Sequence, residues 1–189
     1  MALPLETDRL LLRSFEDADL EAFMTYRSDP AIAEYQGWDA PYSLAAATAF
    51  IQEMKHKQPA TPGEWYQIAI ELKVSGDMIG DCAFHILTED ARQAEIGFTL
   101  SRPYQGKGYA AEAVTRLLAY LFGELGLHRV RAICDAENLA SAKLLERIGM
   151  RREGHLIENI WFKGKWGSEY CFGLLKREWE QNLRHPAAE

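Results

Sequence analysis

The sequence predicts one α/β domain in which hairpin-linked strands are followed by strand–helix alternation. Three observations carry this. Trp65–Lys73 and Met78–Leu87 are β-rich runs either side of Ser75-Gly76-Asp77, the spacing of a hairpin. Ala110, Ala113, Val114, Leu117, Leu118, Leu121 and Phe122 recur at the spacing of one buried helical face. Between a third strand, Ala94–Leu100, and that helix lies Pro103-Tyr104-Gln105-Gly106-Lys107-Gly108, a flexible cationic turn at the mouth of a helix.

The other elements follow in order. Arg9–Phe15 reads as a strand and Asp17–Arg27 as a helix stopped near Pro30. Ser43 is placed to cap a helix from Leu44 to about Lys57, because its hydroxyl can accept from a free first-turn amide. Gln58–Gly63 is a loop that leads into the hairpin. After the glycine-flanked helix, Arg129–Cys134 is a strand, and Leu139–Ile148 is a short helix closed by Gly149. Two last strands, near Arg151–Phe162 and Glu169–Leu175, flank Lys163-Gly164-Lys165, and a terminal helical turn starts at Lys176.

Composition narrows the function classes. The chain of 189 residues is 48% hydrophobic, enough for one sizeable core in a soluble domain. No basic region followed by an apolar core opens it, and no apolar run has the length of a membrane span, so a cytoplasmic protein is expected. Cys82, Cys134 and Cys171 are scattered through expected strands, as buried free thiols would be, and the five histidines show no metal-ligand spacing. A net charge of −7 argues against direct nucleic-acid binding and is compatible with a cationic partner.

The cationic turn is the chemical signal. The first amides of a helix have no partner within the helix, and its dipole favours negative charge there. Glycines let that backbone approach an anion closely, and Lys107 adds a point charge, so the turn suits a phosphate or pyrophosphate. A phosphate loop of the Walker kind needs a glycine where Ser101 stands and a Ser or Thr where Gly108 stands. Gly106-Lys107-Gly108-Tyr109-Ala110-Ala111 does fit the dinucleotide fingerprint, with Asp135 near the place of a ribose-binding acid. Hairpin-linked strands before it, and too little chain after Asp135 for a second mononucleotide half, make a dinucleotide oxidoreductase a minor alternative.

Gln105-x-x-Gly108-x-Ala110 resembles the acyl-CoA pyrophosphate loop of the GNAT superfamily of N-acyltransferases. Asn138-x-x-Ser141, with Ile148-Gly149-Met150 closing its helix, resembles that superfamily's second motif. The opening LETDRLLLR, the block EIGF…PYQGKGYAAEA and the closing GKWGSEYCFGLL are similar to the branch that acetylates the N-terminal alanine of ribosomal proteins. The likeness makes 1–189 a single N-acetyltransferase domain with its core at about 5–179. It implies a central, mostly antiparallel mixed sheet, splayed between the Ala94 and Arg129 strands, with helices on both faces.

It also implies a chemistry, the attack of a primary amine on the thioester of acetyl-CoA with no metal. The acceptor would be a protein N-terminal α-amine or a small-molecule amine, and a homodimer is compatible with the branch. The edge Phe98-Thr99-Leu100, splayed by a bulge, would meet the pantetheine arm and the thioester. Gln105, Gly106, Lys107, Gly108, Tyr109 and Ala110 would wrap the pyrophosphate, and Asn138 would lie beside the pantetheine while also capping its own helix. Many members place a tyrosine seven positions after the motif asparagine as the acid for the departing thiolate. Here Leu145 stands there, so Ser141 is the substitute, and the vacancy leaves a non-catalytic acyl-CoA-binding module as the leading alternative. Glu95, from the branch's E-I-G-[FY] pattern, is the candidate base. An α-amine of pKa about 7.8 costs about 1 kcal/mol to deprotonate at pH 7, and a lysine-like amine about 4.6. Tyr35, Trp38 and Tyr42 in one loop, with Trp161, Phe162, Trp166 and Tyr170 in the last hairpin, are candidates for the acceptor pocket.

Overall fold

A computed structural model describes residues 3–184. Strands β1 (Leu5–Glu6), β2 (Leu10–Arg13), β3 (Trp65–Leu72), β4 (Asp77–Ile86), β5 (Gln93–Leu100), β6 (Arg129–Asp135), β7 (Arg151–Phe162) and β8 (Lys165–Leu175) form one sheet. Their order is β1-β2-β3-β4-β5-β6-β8-β7. Neighbours are antiparallel except β5 and β6, which run parallel and pair at Gln93–Arg129, Ala94–Val130 and Glu95–Arg131. The helices are α1 (Leu20–Arg27), α2 (Pro30–Ala33), α3 (Leu44–His56), α4 (Tyr109–Ala119), α5 (Leu139–Arg147) and α6 (Lys176–Arg184).

Strand periodicity divides the core between the two faces. On one face Leu10, Leu12, Ile68, Ile70, Cys82, Phe84, Ala94, Ile96 and Val130 pack with Ala113, Val114, Leu117 and Leu118 of α4. On the other, Ala69 and Met78 meet Phe15, Phe23, Tyr26, Ala47, Ile51 and Met54, which come largely from α1 and α3. Each fully buried large apolar side chain contributes roughly 1.5–3 kcal/mol, so the two clusters fix which way every strand faces.

The site is created where β5 and β6 part. Past Glu95, β5 stays with β4 as far as Leu100, while β6 follows β8 to Asp135, so the sheet opens into a fork. Gly80 holds the outer prong in place. A Cβ there would fall 2.3 Å from the Thr99 carbonyl oxygen, so a glycine is what lets β4 lie close against the end of β5.

Several expectations are corrected. The splay does not come from a bulge in Phe98–Leu100, since the β4–β5 register runs unbroken from Leu100 to Ala94; the irregularity lies between Ile70 and Glu71 of β3. The fork opens because parallel pairing with β6 stops. Helix α1 ends at Arg27, ahead of Pro30 as expected, but Pro30 also opens a further helix, with Asp29 as its cap and the proline at a first-turn position where no amide is needed. Asp17–Asp19 forms a 3₁₀ turn ahead of α1, β1 adds a short strand, and β8 begins at Lys165, well before Glu169. Helix α4 passes into a π turn at Tyr120–Glu124. The Ser43 cap forms as expected, accepting from the Ala46 amide at 3.1 Å.

Candidate active site

A cleft of about 550 Å³ fills the fork. Its walls come from four segments drawn from three distant parts of the chain: Phe98–Leu100 of β5 with the loop and first turn of α4 that follow it, the inner face of α5, and Ala31, Ile32, Tyr35 and Gln36 around α2.

The loop is shaped by its glycines and braced from behind. Gly106 and Gly108 have φ of +74° and +82°, and Gly108 is the N-cap residue of α4. Gln105 donates to the Leu100 carbonyl at 2.8 Å, closing the turn onto the end of β5. Arg9 lies 4.5 Å from the Tyr109 ring centroid, donates to the Lys107 carbonyl at 3.1 Å and to Glu112 at 2.6 Å. Thr7 and the Arg9 amide also donate to Glu112. With its back held this way, the first turn of α4 presents backbone amides and a positive dipole end to the cleft.

Across the cleft, Asn138 accepts from the Ser141 amide at 3.1 Å, so it caps α5. Ala140, Ser141, Lys143, Leu144 and Arg147 line the cleft from this helix. Leu145, at the position of the missing tyrosine, is buried in the core and faces away from the chemistry. Lys143 and Arg147 escaped the sequence reading; their spacing from Ala140 and Ser141 along one helical face was the available signal.

Ten of the twelve candidate site residues meet in this cleft: Phe98, Thr99, Leu100, Gln105, Gly106, Gly108, Tyr109, Ala110, Asn138 and Ser141. Two do not line it. Lys107 sits on the rim, its ammonium 5.8 Å from the Tyr104 ring centroid. Glu95 stands at the crotch of the fork, where its Oε2 accepts from Arg131 at 2.8 Å. Among the expected acceptor aromatics, Tyr35 reaches the cleft, but Trp38 and Tyr42 are engaged elsewhere. Together with Phe23 and Phe50 they surround the buried Arg27 guanidinium, which is 3.9 Å from the Trp38 ring centroid and 4.3 Å from that of Phe23. Arg27 lies 4.0 Å from Asp81, whose carboxyl accepts from Tyr26 and is pushed up by burial.

The cleft is electrically polar. The dipole end of α4 on one wall and Lys143 and Arg147 on the facing one supply positive potential to the cleft. A second cavity of about 290 Å³ is lined by Asp135, Glu137 and Glu158 together with Lys165, which pairs with Glu137 at 2.8 Å. Burial raises the Tyr35 phenol, Glu34, Asp135 and Glu137 raise it further and Lys165 lowers it, so the charge around this tyrosine is acidic on balance. Among the described residues, no group of three or more His, Cys, Asp or Glu side chains could hold a metal ion.

A forked mixed sheet with a glycine-shaped loop leading into a helix at the fork points to the class, and comparison with known proteins agrees. The acetyltransferase (GNAT) domain family matches residues 9–151, and the chain belongs to this family of acetyl-CoA-dependent N-acetyltransferases. It is 35% identical over 175 residues to the uncharacterized N-acetyltransferase p20 of Bacillus licheniformis, covering 93% of this chain and 97% of that protein. It is 24% identical to the ribosomal protein uS5-alanine N-acetyltransferase of Escherichia coli, covering 93% and 92%. The crystal structure of a GNAT-family acetyltransferase from Bacillus anthracis superposes with a TM-score of 0.82 at 31% identity, covering 93% of this chain and 99% of that one.

Proposed function

We propose that the cleft binds acetyl-CoA with its pyrophosphate on the α4 loop and its thioester between Phe98–Leu100 and Ser141, and passes the acetyl group to a cationic primary amine arriving from the acidic side. The observation that carries this is the single cleft lined at once by the β5 edge, the glycine loop and the start of α5, with Lys143 and Arg147 on its wall and, elsewhere on it, Tyr35, which feels the Glu34 and Asp135 carboxylates. Such polarity matches an anionic donor to one side and an ammonium to the other.

The unpaired edge of β5 beyond Glu95 carries backbone groups suited to the amides of a pantetheine arm. Lys143 and Arg147 then face the phosphates, and Lys107 screens them from the rim. The acceptor passes Tyr35 and Gln36, with Asp135 and Glu137 favouring its charged form on arrival. It must become neutral before attack. Glu95 takes that proton through a water, since both Arg131 contacts fall on Oε2 and leave Oε1 for the relay. The amine nitrogen bonds to the carbonyl carbon, the C–S bond breaks, and the thiolate, held by a hydrogen bond from Ser141, takes the second proton that the nitrogen gives up and leaves as the CoA thiol.

The reaction suits a reducing cytoplasm, where Cys82, Cys134 and Cys171 remain the free thiols they are here. A protein N-terminus and a small polyamine both satisfy the electrostatics. The experiment is calorimetry with acetyl-CoA, CoA and NAD, followed by free-thiol release with N-terminal peptides, polyamines and lysine derivatives. Acetyl-CoA binding with amine-dependent thiol release is expected. Binding without release from any amine would support the non-catalytic module, and preferential binding of NAD would refute the site.

A further inference from the structure

The wall of the cleft opposite the loop is short. Helix α2 has four residues, yet this segment supplies Ala31, Ile32, Tyr35 and Gln36 to the lining. A segment this small does not hold its shape by its own hydrogen bonds, so the contacts that pin it matter. At its front, Asp29 caps α2 and receives Arg102 at 2.5 Å, from the turn just ahead of the pyrophosphate loop. At its back, the tip of the β7–β8 hairpin reaches over. Lys163 Nζ donates to the Ala33 carbonyl at 2.8 Å and to the Trp38 carbonyl at 2.6 Å, with Asp39 3.2 Å away.

The two pins come from opposite sides of the fork. Arg102 follows β5, whereas Lys163 belongs to the β7–β8 half. The segment from Asp29 to Asp39 is thus a strap across the cleft, and Lys163 holds its acceptor-side end. Lys163 itself lies in the left-handed region, with φ of +48°, in the two-residue turn between β7 and β8. The turn carries that strain while its ammonium makes two charge-assisted hydrogen bonds to main-chain carbonyls. Removing the charge frees the Ala33 carbonyl and the stretch after it, while the Trp38 side chain stays held by its ring on Arg27 and by Nε1 donating to the Arg27 carbonyl at 3.0 Å.

We propose that Lys163 is a positioning residue for the acceptor: by fastening the Ala33 and Trp38 carbonyls it fixes Tyr35 and Gln36 between them, and so sets the width of the cleft wall past which the acceptor enters. This rests on the direction of acceptor entry proposed above. Arg102 and Asp29, close to the loop, secure the donor side of the same strap. Lys163 thereby acts on which amine enters and leaves acetyl-CoA binding alone.

The test compares Lys163→Met, Lys163→Arg and Asp39→Asn with the unaltered protein. Three quantities are read: the acceptor KM, the acetyl-CoA Kd by calorimetry, and amide exchange of the 29–36 segment by mass spectrometry. In this segment the amides of Ile32, Ala33, Glu34 and Gln36 are hydrogen-bonded and exchange slowly when the strap is held. Lys163→Met is expected to raise the acceptor KM roughly tenfold, the scale of a lost charge-assisted pair of hydrogen bonds, with the acetyl-CoA Kd changed less than twofold. It also speeds exchange in 29–36 and leaves α4 unchanged. Lys163→Arg retains most of the function. Asp39→Asn changes little, because the Asp39 side chain is 91% exposed. An unchanged acceptor KM, an equal loss of acetyl-CoA affinity, or unchanged exchange in 29–36 would each overturn the proposal. The exchange measurement needs no turnover, so it judges the strap even if no amine is acetylated. Failure of the unaltered protein to bind acetyl-CoA would instead strike the function proposed above.

Discussion

Replacing Gly108 with valine tests the loop most sharply, because the cost to folding and the cost to binding can be separated. Gly108 has φ of +82°, and a Cβ there would meet the Arg9 Nη2 at 3.3 Å, so the strain is mostly backbone conformation with a small steric addition. A side chain in the left-handed region costs about 1–2 kcal/mol, and somewhat more when β-branched. In a chain of this size each kcal/mol lowers Tm by roughly 2–4 °C, so a drop of about 2–8 °C is expected. Binding suffers more. On the proposed binding mode the isopropyl group would stand where pyrophosphate oxygens meet the first amides of α4, and each charge-assisted hydrogen bond lost is worth about 1.5–3 kcal/mol. Acetyl-CoA affinity should fall about tenfold to a hundredfold. Gly126→Val is the control: its φ is +68°, nothing lies within 4 Å of its Cβ, and it is away from the cleft. The control should lose similar thermal stability and keep wild-type affinity. Calorimetry and thermal denaturation on both variants decide the matter, and a folded Gly108→Val protein with unchanged affinity refutes the phosphate-loop assignment.

Ser141→Ala should lower kcat about 10²–10³-fold while leaving acetyl-CoA affinity nearly intact, checked by steady-state kinetics beside calorimetry; equal turnover would reduce Ser141 to a residue of the α5 first turn. Glu95→Gln should lose more activity with a lysine-like acceptor than with an α-amine, and high pH should partly rescue it. A uniform loss at every pH, with a lowered Tm, would leave Glu95 as the partner of Arg131 that fastens the fork. Acid stability carries a separate signature, since Arg129 and then Arg151 hold Glu153 down at about 2 against an ordinary value of 4.5. A depressed carboxylate stabilises the fold above its unfolded pKa, and that contribution is lost as pH falls from about 4.5 through about 2. Glu153→Gln should therefore flatten the dependence of Tm on pH in this window, and an unchanged slope would show that the pair adds nothing.

What could be read from the sequence was what is local. The loop declares itself because Gln105, Gly106 and Gly108 lie within four residues and must all shape one turn, and the Asn138 cap acts only three residues away. The hairpin strands and α4 follow from periodicity, which burial enforces. Helix α2 was hidden because Pro30 reads equally as a stop and as a first-turn residue; the Asp29 cap decides between them only once the chain is placed. The Trp38 and Tyr42 side chains were expected at the acceptor pocket, but their partner is Arg27, and an arginine eleven or fifteen residues away has no periodic signature. Lys163 holding Ala33 is a contact across most of the chain, which only the topology of the sheet creates.

Three residue pairs join β5 to β6, so the backbone seam between the first five strands and the last three is narrow. Whatever molecule occupies the fork below that seam touches both halves, and it does so on edges that the protein leaves unpaired. On the proposed binding mode the ligand would add a bridge across this backbone seam, beside the Glu95–Arg131 pair, the strap and the buried core that Val130, Phe172 and Leu174 share with α4 and the first five strands. With the donor bound there, the stability of the folded chain would grow as RT ln(1 + [L]/Kd) with the free concentration of its acyl donor.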